Sequence, residues 1–515
     1  MFLGLDSSTQ SLSALVIDPA TASIVCEQTV NFGKDLPHYG SPSGFLPGGT
    51  DGVVHADPRM WLEALDLLLA RLAEATDLSQ IAMISGSGQQ HGTVYLDETF
   101  PQRLADPRGD SLVERFAPAF TRATSPIWMD TSTGAECREI AEAAGGNAEV
   151  CRRSGSIAVE RFSGPQIRRF FKTEPDAYEK TGCIHLVSSF LASLLAGREA
   201  AIDYGDGAGM NLMNLESLAW DPVLLDATAP GLVEKLPTLG ATTDVIGPIS
   251  GYFTRKYGFS ETCRCANFTG DNPASLVGMG STRPGNIVIS LGTSDTFFAA
   301  MPGPLTDPHG YGHVFGNPAG GFMSLICFRN GSLAREALRD AEGLDWSAFD
   351  ADALRETRDA AGANIMLPFY GPEITPRHDF SGPVSRGSDD FESDAALRVR
   401  ALLEGQFLNM RLHSRWMGLR HERIRLTGGA SQNDGIARMA ADVFQAPVER
   451  LAVSNSAALG AALIAAAAAG HDLPAMQKQF CLTTDHRKIA PDASLEFVYN
   501  EALGKFEDLL RETMG

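Results

Sequence analysis

Phe2-Leu3-Gly4-Leu5-Asp6-Ser7-Ser8-Thr9-Gln10-Ser11-Leu12-Ser13-Ala14-Leu15-Val16-Ile17-Asp18 is the stretch whose reading decides the fold. Apolar and polar residues alternate on both sides of Asp6-Ser7-Ser8-Thr9-Gln10, the pattern of two strands joined by a small-polar turn. The same pattern returns at Ile287 to Ala299, where Ile287-Val288-Ile289-Ser290-Leu291 enters Gly292-Thr293-Ser294-Asp295-Thr296 and leaves through Phe297-Phe298. From Asp6 to Gly292 is about 286 positions, so the chain reads as an internal duplication.

A chain of 515 residues, 44% of them hydrophobic, is too long for one core and reads as two domains with a cleft between them. The boundary is expected near Gly280 to Gly285, giving domains 1–280 and 281–515. Between the two hairpins, Asp57 and Pro58 form the cap and first turn of a helix with Trp61, Leu62, Leu65, Leu68, Leu69 and Leu72 on one face. Helical periodicity recurs at Val187 to Leu195 and Leu397 to Leu412, and Ile424 to Leu426 is a short strand entering Gly428-Gly429. Leu36 to Gly52 and Pro368 to Gly387, rich in Gly and Pro, read as irregular loops.

The formal charge of −21, from 42 basic and 63 acidic residues, excludes a nucleic-acid surface, which needs clustered Lys and Arg. The N-terminus reaches Asp6 without a basic flank or long apolar run, so a cytoplasmic location is expected. The Ala-rich run Ala457 to Gly470 is shorter than the roughly 20 residues that span a bilayer and reads as a soluble helix, not a membrane segment. The eight cysteines are scattered, and Cys263 with Cys265 lacks a second pair at zinc spacing; all are expected to be reduced and structural.

A phosphate cradle needs unobstructed backbone N–H groups, hydroxyls and a carboxylate able to hold Mg2+. Both turns offer these: Asp6 for the metal with Ser8, Thr9 and Gln10 toward phosphate, and Gly292, Thr293 and Ser294 as the opposing clamp. Either turn alone is an ordinary polar hairpin, and it is the duplication that points to phosphate. GxxxxGK[ST], HRD and DFG are all absent. Gly86-Ser87-Gly88-Gln89-Gln90-His91-Gly92 has His91 where a dinucleotide fingerprint needs its third glycine. Gln89, Gln90 and His91 instead follow an apolar run and stand at a strand end, suited to sugar hydroxyls; a lone histidine there is as compatible with a structural role. Asp271, between Gly270 and Asn272 with Pro273 following, is the candidate general base, with helix capping the plain alternative. Gly428 and Gly429 offer bare backbone for a flat ligand, or merely a tight strand-to-helix connection.

Taken in order, GLDSSTQ, SGSGQQHGTVYL, SPIWMDTST, VERFSGPQI, IDYGDGAGMNLM, FTGDNPASL, SLGTSDTFF, FRNGSLARE, LTGGASQN and NSAALGAALIAA resemble the FGGY carbohydrate kinases, of the actin-like and Hsp70-like ATPase group, from about residue 2 to about 485. The resemblance implies an α/β fold of two ribonuclease-H-like domains flanking a catalytic cleft, with sugar held mainly by the first and ATP by the second. It implies Asp6 as the Mg2+-associated carboxylate and Asp271 as general base, with Gln90, His91, Arg161, Asp271 and Asn272 on the sugar. Trp346, Gly428, Gly429 and Asn433 fall around adenosine, and Thr9, Gln10, Gly292 and Thr293 near the phosphates. Gln90 stands where many members carry Met, and Pro368 to Gly382 fits the common GER-type loop poorly. Both features are those of the longer members that phosphorylate a keto-pentose, D-xylulose, with ribulose-like ketoses, polyols and a non-catalytic ATPase as the competing readings. Whether the chain forms a homodimer stays open.

Overall fold

Residues 2–18 form the expected hairpin: β1 (Phe2–Ser7) pairs antiparallel with β2 (Ser11–Asp18), from Phe2 opposite Ile17 to Ser7 opposite Leu12. The computed structural model of the chain describes residues 1–106, 108–349, 354, 357–451 and 455–515. β3 (Ser23–Asn31) continues the meander. α1 (Pro58–Ala75) begins where the Asp57 carboxylate accepts from the Arg59 N–H, and it buries Trp61, Leu62, Leu65, Leu68, Leu69 and Leu72. Each of those large side chains contributes about 1.5–3 kcal/mol on burial. β4 (Met83–Gly88) runs parallel to β1 in register, with Asp6 opposite Ser87.

After α2 (Val187–Ala196) come β5 (Val245–Pro248), β6 (Arg264–Ala266), β7 (Thr269–Gly270) and α3 (Asp271–Gly278). The first sheet runs β5-β6-β4-β1-β2-β3, with β7 also pairing β4 so that Thr269 faces Ser87 and Gly270 faces Gly88. The C-terminal ends of parallel strands β1, β4 and β7 therefore meet at one edge, the place where open α/β sheets take ligands.

The second hairpin repeats this plan. β8 (Asn286–Leu291) pairs antiparallel with β9 (Asp295–Met301). α4 (Ser332–Ala341) and α5 (Ala395–His413) follow, and β10 (Arg423–Thr427) then lies parallel to β8. α6 (Asp434–Phe444), β11 (Val448–Leu451), α7 (Ser456–Ala468) and β12 (Thr483–Ile489) follow in the chain, and β9-β8-β10-β11-β12 is the strand order within a seven-stranded sheet. In both sheets a strand is flanked by an antiparallel hairpin partner and by a parallel strand that reaches a glycine at or just past its end, Gly88 and Gly428, which is the duplication seen in the sequence. The Pro368 to Gly387 loop differs from its irregular reading: residues 373–374 pair with 377–378, and Val384–Arg386 pairs with Ile365–Leu367.

The chain clusters into two units, Met1–Thr282 with Val314–Met323 and Asn455–Cys481, and Arg283–His313 with Ser324–Ser454 and Leu482–Gly515. A linear cut into 1–280 and 281–515 misses the two returns, and the physical reason for the longer one is α7. This helix is apolar all round and buried from Ala457 to Ala466, so it needs protein on every side. It finds β1 and α3 by bare-backbone contact. A Cβ on Gly4 would fall 2.2 Å from Ala458 O, one on Gly278 1.9 Å from Ser456 O, and one on Gly460 1.8 Å from Ala274 O. No helix among the described residues is long and apolar enough to cross a membrane, and the eight cysteines, from Cys26 to Cys481, form no disulfide. Gly460→Val is expected to destabilise the first unit by about 3 kcal/mol through overpacking against backbone that has no room to yield. Thermal and urea unfolding would show this as an early transition; an unchanged midpoint would mean that α7 can slide.

Candidate active site

Asp6, the next-to-last residue of β1, is nearly buried, at 5% exposure. Its two oxygens accept from the Ser8 hydroxyl at 2.5 Å and the Ser87 hydroxyl at 2.7 Å, the latter delivered by the β1–β4 register. Burial pushes its carboxyl above the usual range, against the pull of the two hydroxyls. Asp271 opens α3 directly after β7. Gly270 occupies the cap position, so Asp271 is the first helical residue and the capping alternative does not hold. One of its oxygens accepts from the Asn272 N–H at 2.9 Å and from Asn272 Nδ2 at 3.0 Å. Loss of water, and then the charge of Asp6, raises Asp271 to about 7.

Asn272 Nδ2 also donates to Gln90 Oε1 at 3.0 Å, tying α3 to the turn that follows β4. In that turn His91 takes a left-handed backbone, φ 70°, a conformation unusual for a non-glycine residue and concentrated at functional sites. Its Nδ1 lies 2.8 Å from Gly209 O, and because a carbonyl only accepts, Nδ1 carries the proton and Nε2 presents a lone pair. Its ring stacks on Phe162 at 4.2 Å. Burial, reinforced by the Arg161 charge, holds His91 down at about 3, so it is neutral at physiological pH. The Arg161 guanidinium lies 5.6 Å from the Phe162 ring centre. Gln89 and Gln90 are buried, yet both amide atoms of Gln89 and Nε2 of Gln90 lack a hydrogen-bond partner within the protein. Unsatisfied buried amides are costly unless a polar ligand meets them. Thr9 sits just beyond β1, its hydroxyl accepting from Trp128 Nε1 at 2.8 Å, and Gln10 is exposed beside it.

In the second unit, the turn between β8 and β9 is held from beneath. Asp295 forms a two-pronged pair with Arg335, each contact 3.0 Å, and accepts from the Gly292 N–H at 3.1 Å. Arg335 also donates to Gln406 Oε1 at 2.9 Å, and Ser332 N–H donates to Gly292 O at 2.9 Å. Gly428 leaves β10 at φ 87°, where a Cβ would strike Leu291 O at 2.3 Å, so only glycine lets the backbone pass under the turn. Nothing lies within 4 Å of a Cβ built on Gly429. Trp346, Phe349, Gly429, Asn433, Ile436, Ser332 and Arg335 line a pocket of about 440 Å³, which brings Trp346, Gly429 and Asn433 together, and Ser332 and Arg335 tie its wall to Gly292 O. Trp346 is 48% exposed, its ring covered on one side by the Arg339 guanidinium at 4.4 Å. Asn433 additionally caps α6, accepting from the Ile436 N–H at 3.0 Å.

Reading the residues missed several parts of the site. Asp206 is buried with Oδ1 unpartnered, while its other oxygen accepts from Ser188 at 2.5 Å; burial and the nearby Asp203 and Asp271 charges push it well up. The Asp203 carboxylate accepts from the Thr242 hydroxyl at 2.6 Å. Both acids lie in the IDYGDGAG stretch, where acidic residues among glycines were the available signal. Ser87, Trp128, Asp295 and Arg335 were likewise legible only as letters in quoted motifs. The Asp6 carboxylate, flanked by the Ser8 and Ser87 hydroxyls, is an all-oxygen set of the kind a hard divalent cation takes.

The N-terminal domain of the FGGY family of carbohydrate kinases matches residues 122–278 and the C-terminal domain of that family matches residues 287–469. A "Xylulose kinase" of Rattus norvegicus is 40% identical over 471 residues, covering 89% of this chain and 87% of that protein. "Xylulose kinase 2" of Arabidopsis thaliana is 41% identical over 489 residues, covering 90% and 87%. Among solved structures, a "xyloylose kinase" from Brucella ovis superposes with TM-score 0.80 at 24% identity, covering 100% and 99%. A gluconate kinase from Lactobacillus acidophilus superposes with TM-score 0.81 at 19% identity, covering 99% and 97%, so the fold by itself does not select the sugar. At these identities and coverages the chain belongs to the FGGY family of carbohydrate kinases, enzymes that transfer a phosphoryl group from ATP to a sugar.

Proposed function

We propose that this kinase phosphorylates a keto-pentose, D-xylulose, on its terminal hydroxyl to give D-xylulose 5-phosphate. The observation that carries the reading is Asp271, raised to about 7 at the meeting of three strand ends, in a chain 40% identical to a xylulose kinase. A sugar hydroxyl is a very weak acid, and a base poised near the working pH takes its proton most effectively as the O–P bond forms. Asp271 fits that task, and Asn272, pinned by Gln90, fixes its orientation. Neutral His91 offers an acceptor at Nε2, and the unpartnered amides of Gln89 and Gln90 offer both donors and acceptors, the mixture that a polyhydroxylated ligand requires. Arg161 and Asn272 complete the sugar side.

In the second unit, Trp346, Gly428, Gly429 and Asn433 receive adenosine against bare backbone. The turn at Gly292 and Thr293 meets phosphate oxygens through the Thr293 N–H, while the Gly292 N–H, bonded to Asp295, and the buried Asp295–Arg335 pair hold the turn in place. Thr9 and Gln10 contribute from the first hairpin. Mg2+, when bound, neutralises the charge on the transferring phosphate, and Asp6 is the residue that would hold it. Because the transfer is a loose displacement, the remaining work of these side chains is alignment. The reaction is placed in the cytoplasm as part of the same proposal.

Asp271→Asn is expected to lower sugar-dependent ADP release by about 10²–10⁴-fold while leaving sugar affinity within about tenfold. Near-normal turnover would remove Asp271 from the role of base. Since the base must be ionised, kcat/KM should fall about tenfold per pH unit below about 7 and level off above it; a profile flat through that range contradicts the assignment. His91→Asn, which tolerates the left-handed backbone, or Arg161→Ala should weaken xylulose binding and spare that of an ATP analogue. Calorimetry showing the reverse would move both residues to the nucleotide. Coupled ADP release across a panel of ketoses and polyols tests the sugar, and a higher kcat/KM for ribulose or a polyol would replace D-xylulose.

A further inference from the structure

We propose that Cys183, His185 and Glu199 form a binding site for a thiophilic divalent cation of the zinc class, separate from the carboxylates that serve phosphoryl transfer. Cys183 and His185 are two apart on the strand Thr181–Leu186, and so share a face; this strand pairs with Thr93–Asp97, with Leu96 opposite Cys183 and Val94 opposite His185. α2 intervenes, and the chain returns past its end with Glu199. One ligand atom from each residue lies within 4.8 Å of the others. Cys183 Sγ is 2.8 Å and His185 Nε2 3.5 Å from Glu199 Oε1. Zinc bonds of roughly 2.0–2.3 Å in tetrahedral array separate ligands by roughly 3.3–3.8 Å, so small side-chain shifts suffice.

The second observation concerns His185. Its side chain is 0% exposed, and Nε2, aimed into this cluster, makes no well-formed hydrogen bond, Glu199 Oε1 standing off at 3.5 Å. Its other nitrogen lies 2.9 Å from Ser189 Oγ, whose own hydroxyl can donate to Leu186 O at 3.3 Å. In that arrangement Nδ1–H donates to Ser189 and Nε2 carries a lone pair, the tautomer and outer hydrogen bond that metal-binding histidines use. Phe100 meets the ring edge-on at 5.6 Å and fixes its plane. A pocket of about 170 Å³, lined by Asp97, Glu98, Glu234 and Lys235 together with Cys183 and Glu199, gives an acidic approach and room for water as a fourth ligand.

Sulfur and imidazole donors select zinc-class ions over Mg2+ or Ca2+. Without the ion the Cys183 thiol donates to Glu199, and burial beside that carboxylate keeps it protonated. Binding breaks the S–H bond, joins the thiolate to the cation and releases the proton to solvent, with no change of oxidation state. The ion would clip together the two ends of α2, the helix from which Ser188 holds Asp206.

The test uses the full chain, freed of metal by a chelator and desalted, with Co2+ as spectroscopic probe. Expected are a thiolate-to-cobalt band in the near ultraviolet, visible bands of tetrahedral intensity, proton release, and loss of all three signals on adding Zn2+. Cys183→Ser should abolish the near-ultraviolet band. Glu199→Gln, on the exposed side of the cluster, should weaken Co2+ binding by about tenfold or more without disturbing the fold. Cys26→Ser, altering a partly buried thiol elsewhere, should leave the spectrum unchanged. No thiolate band in the unaltered chain, the same band in Cys183→Ser, or Co2+ affinity unmoved by Glu199→Gln would overturn the proposal.

Discussion

The site in the first unit depends on one packing constraint: an alanine-rich helix laid directly on backbone. α7 touches β1 at Gly4 and α3 at Gly278, and these two elements carry Asp6 and Asp271. Each contact leaves no room for a Cβ, so the spacing between strand and helix is set by peptide groups rather than by adjustable side chains. Two carboxylates of like charge can then be brought together in a buried place without the elements that bear them moving apart. Burial first, and then the repulsion by Asp6, give Asp271 a raised affinity for a proton.

The hydrogen bonds around that pair follow a division of labour set by register. The β1–β4 pairing delivers Ser87 to Asp6, and the β4–β7 pairing delivers Gly270 beside Gly88, so that α3 starts at the required height. The turn after β4 then sends Gln90 to Asn272 and His91 to Gly209. Sheet register, a property of the backbone, thus positions side chains contributed by residues up to 182 positions apart, as between Gln90 and Asn272.

The hairpins, the strand ends at Gly88 and Gly428, the helix from Pro58 and the candidate Asp271 were legible in the sequence because each rests on local chemistry: alternation, a capping aspartate, a glycine required by a close approach. The return of residues 455–481 to the first unit was not, since an apolar helix states that it must be buried but not against what. The same holds for Asp206 with Ser188 and for Asp295 with Arg335, whose partners lie 18 and 40 residues away. Short strands inside the Pro368 to Gly387 loop were hidden by the Gly and Pro residues that punctuate them.

The duplicated hairpins also show how one backbone plan acquires opposite electrostatic tasks. In the first, the carboxylate stands at the end of the leading strand, and Asp6 is held by two hydroxyls that leave its negative charge uncompensated. In the second, the carboxylate stands across the turn at the start of the following strand, and Asp295 is matched by Arg335 in two parallel contacts. Burying such a pair is tolerable only when both charges are present and well bonded. With its carboxylate matched by Arg335 and tied to the Gly292 N–H, the second turn carries no uncompensated negative charge. The first turn retains an acidic oxygen set suited to a cation. One backbone plan thus carries an uncompensated acid in one unit and a matched acid in the other, by moving a single aspartate from one side of the turn to the other.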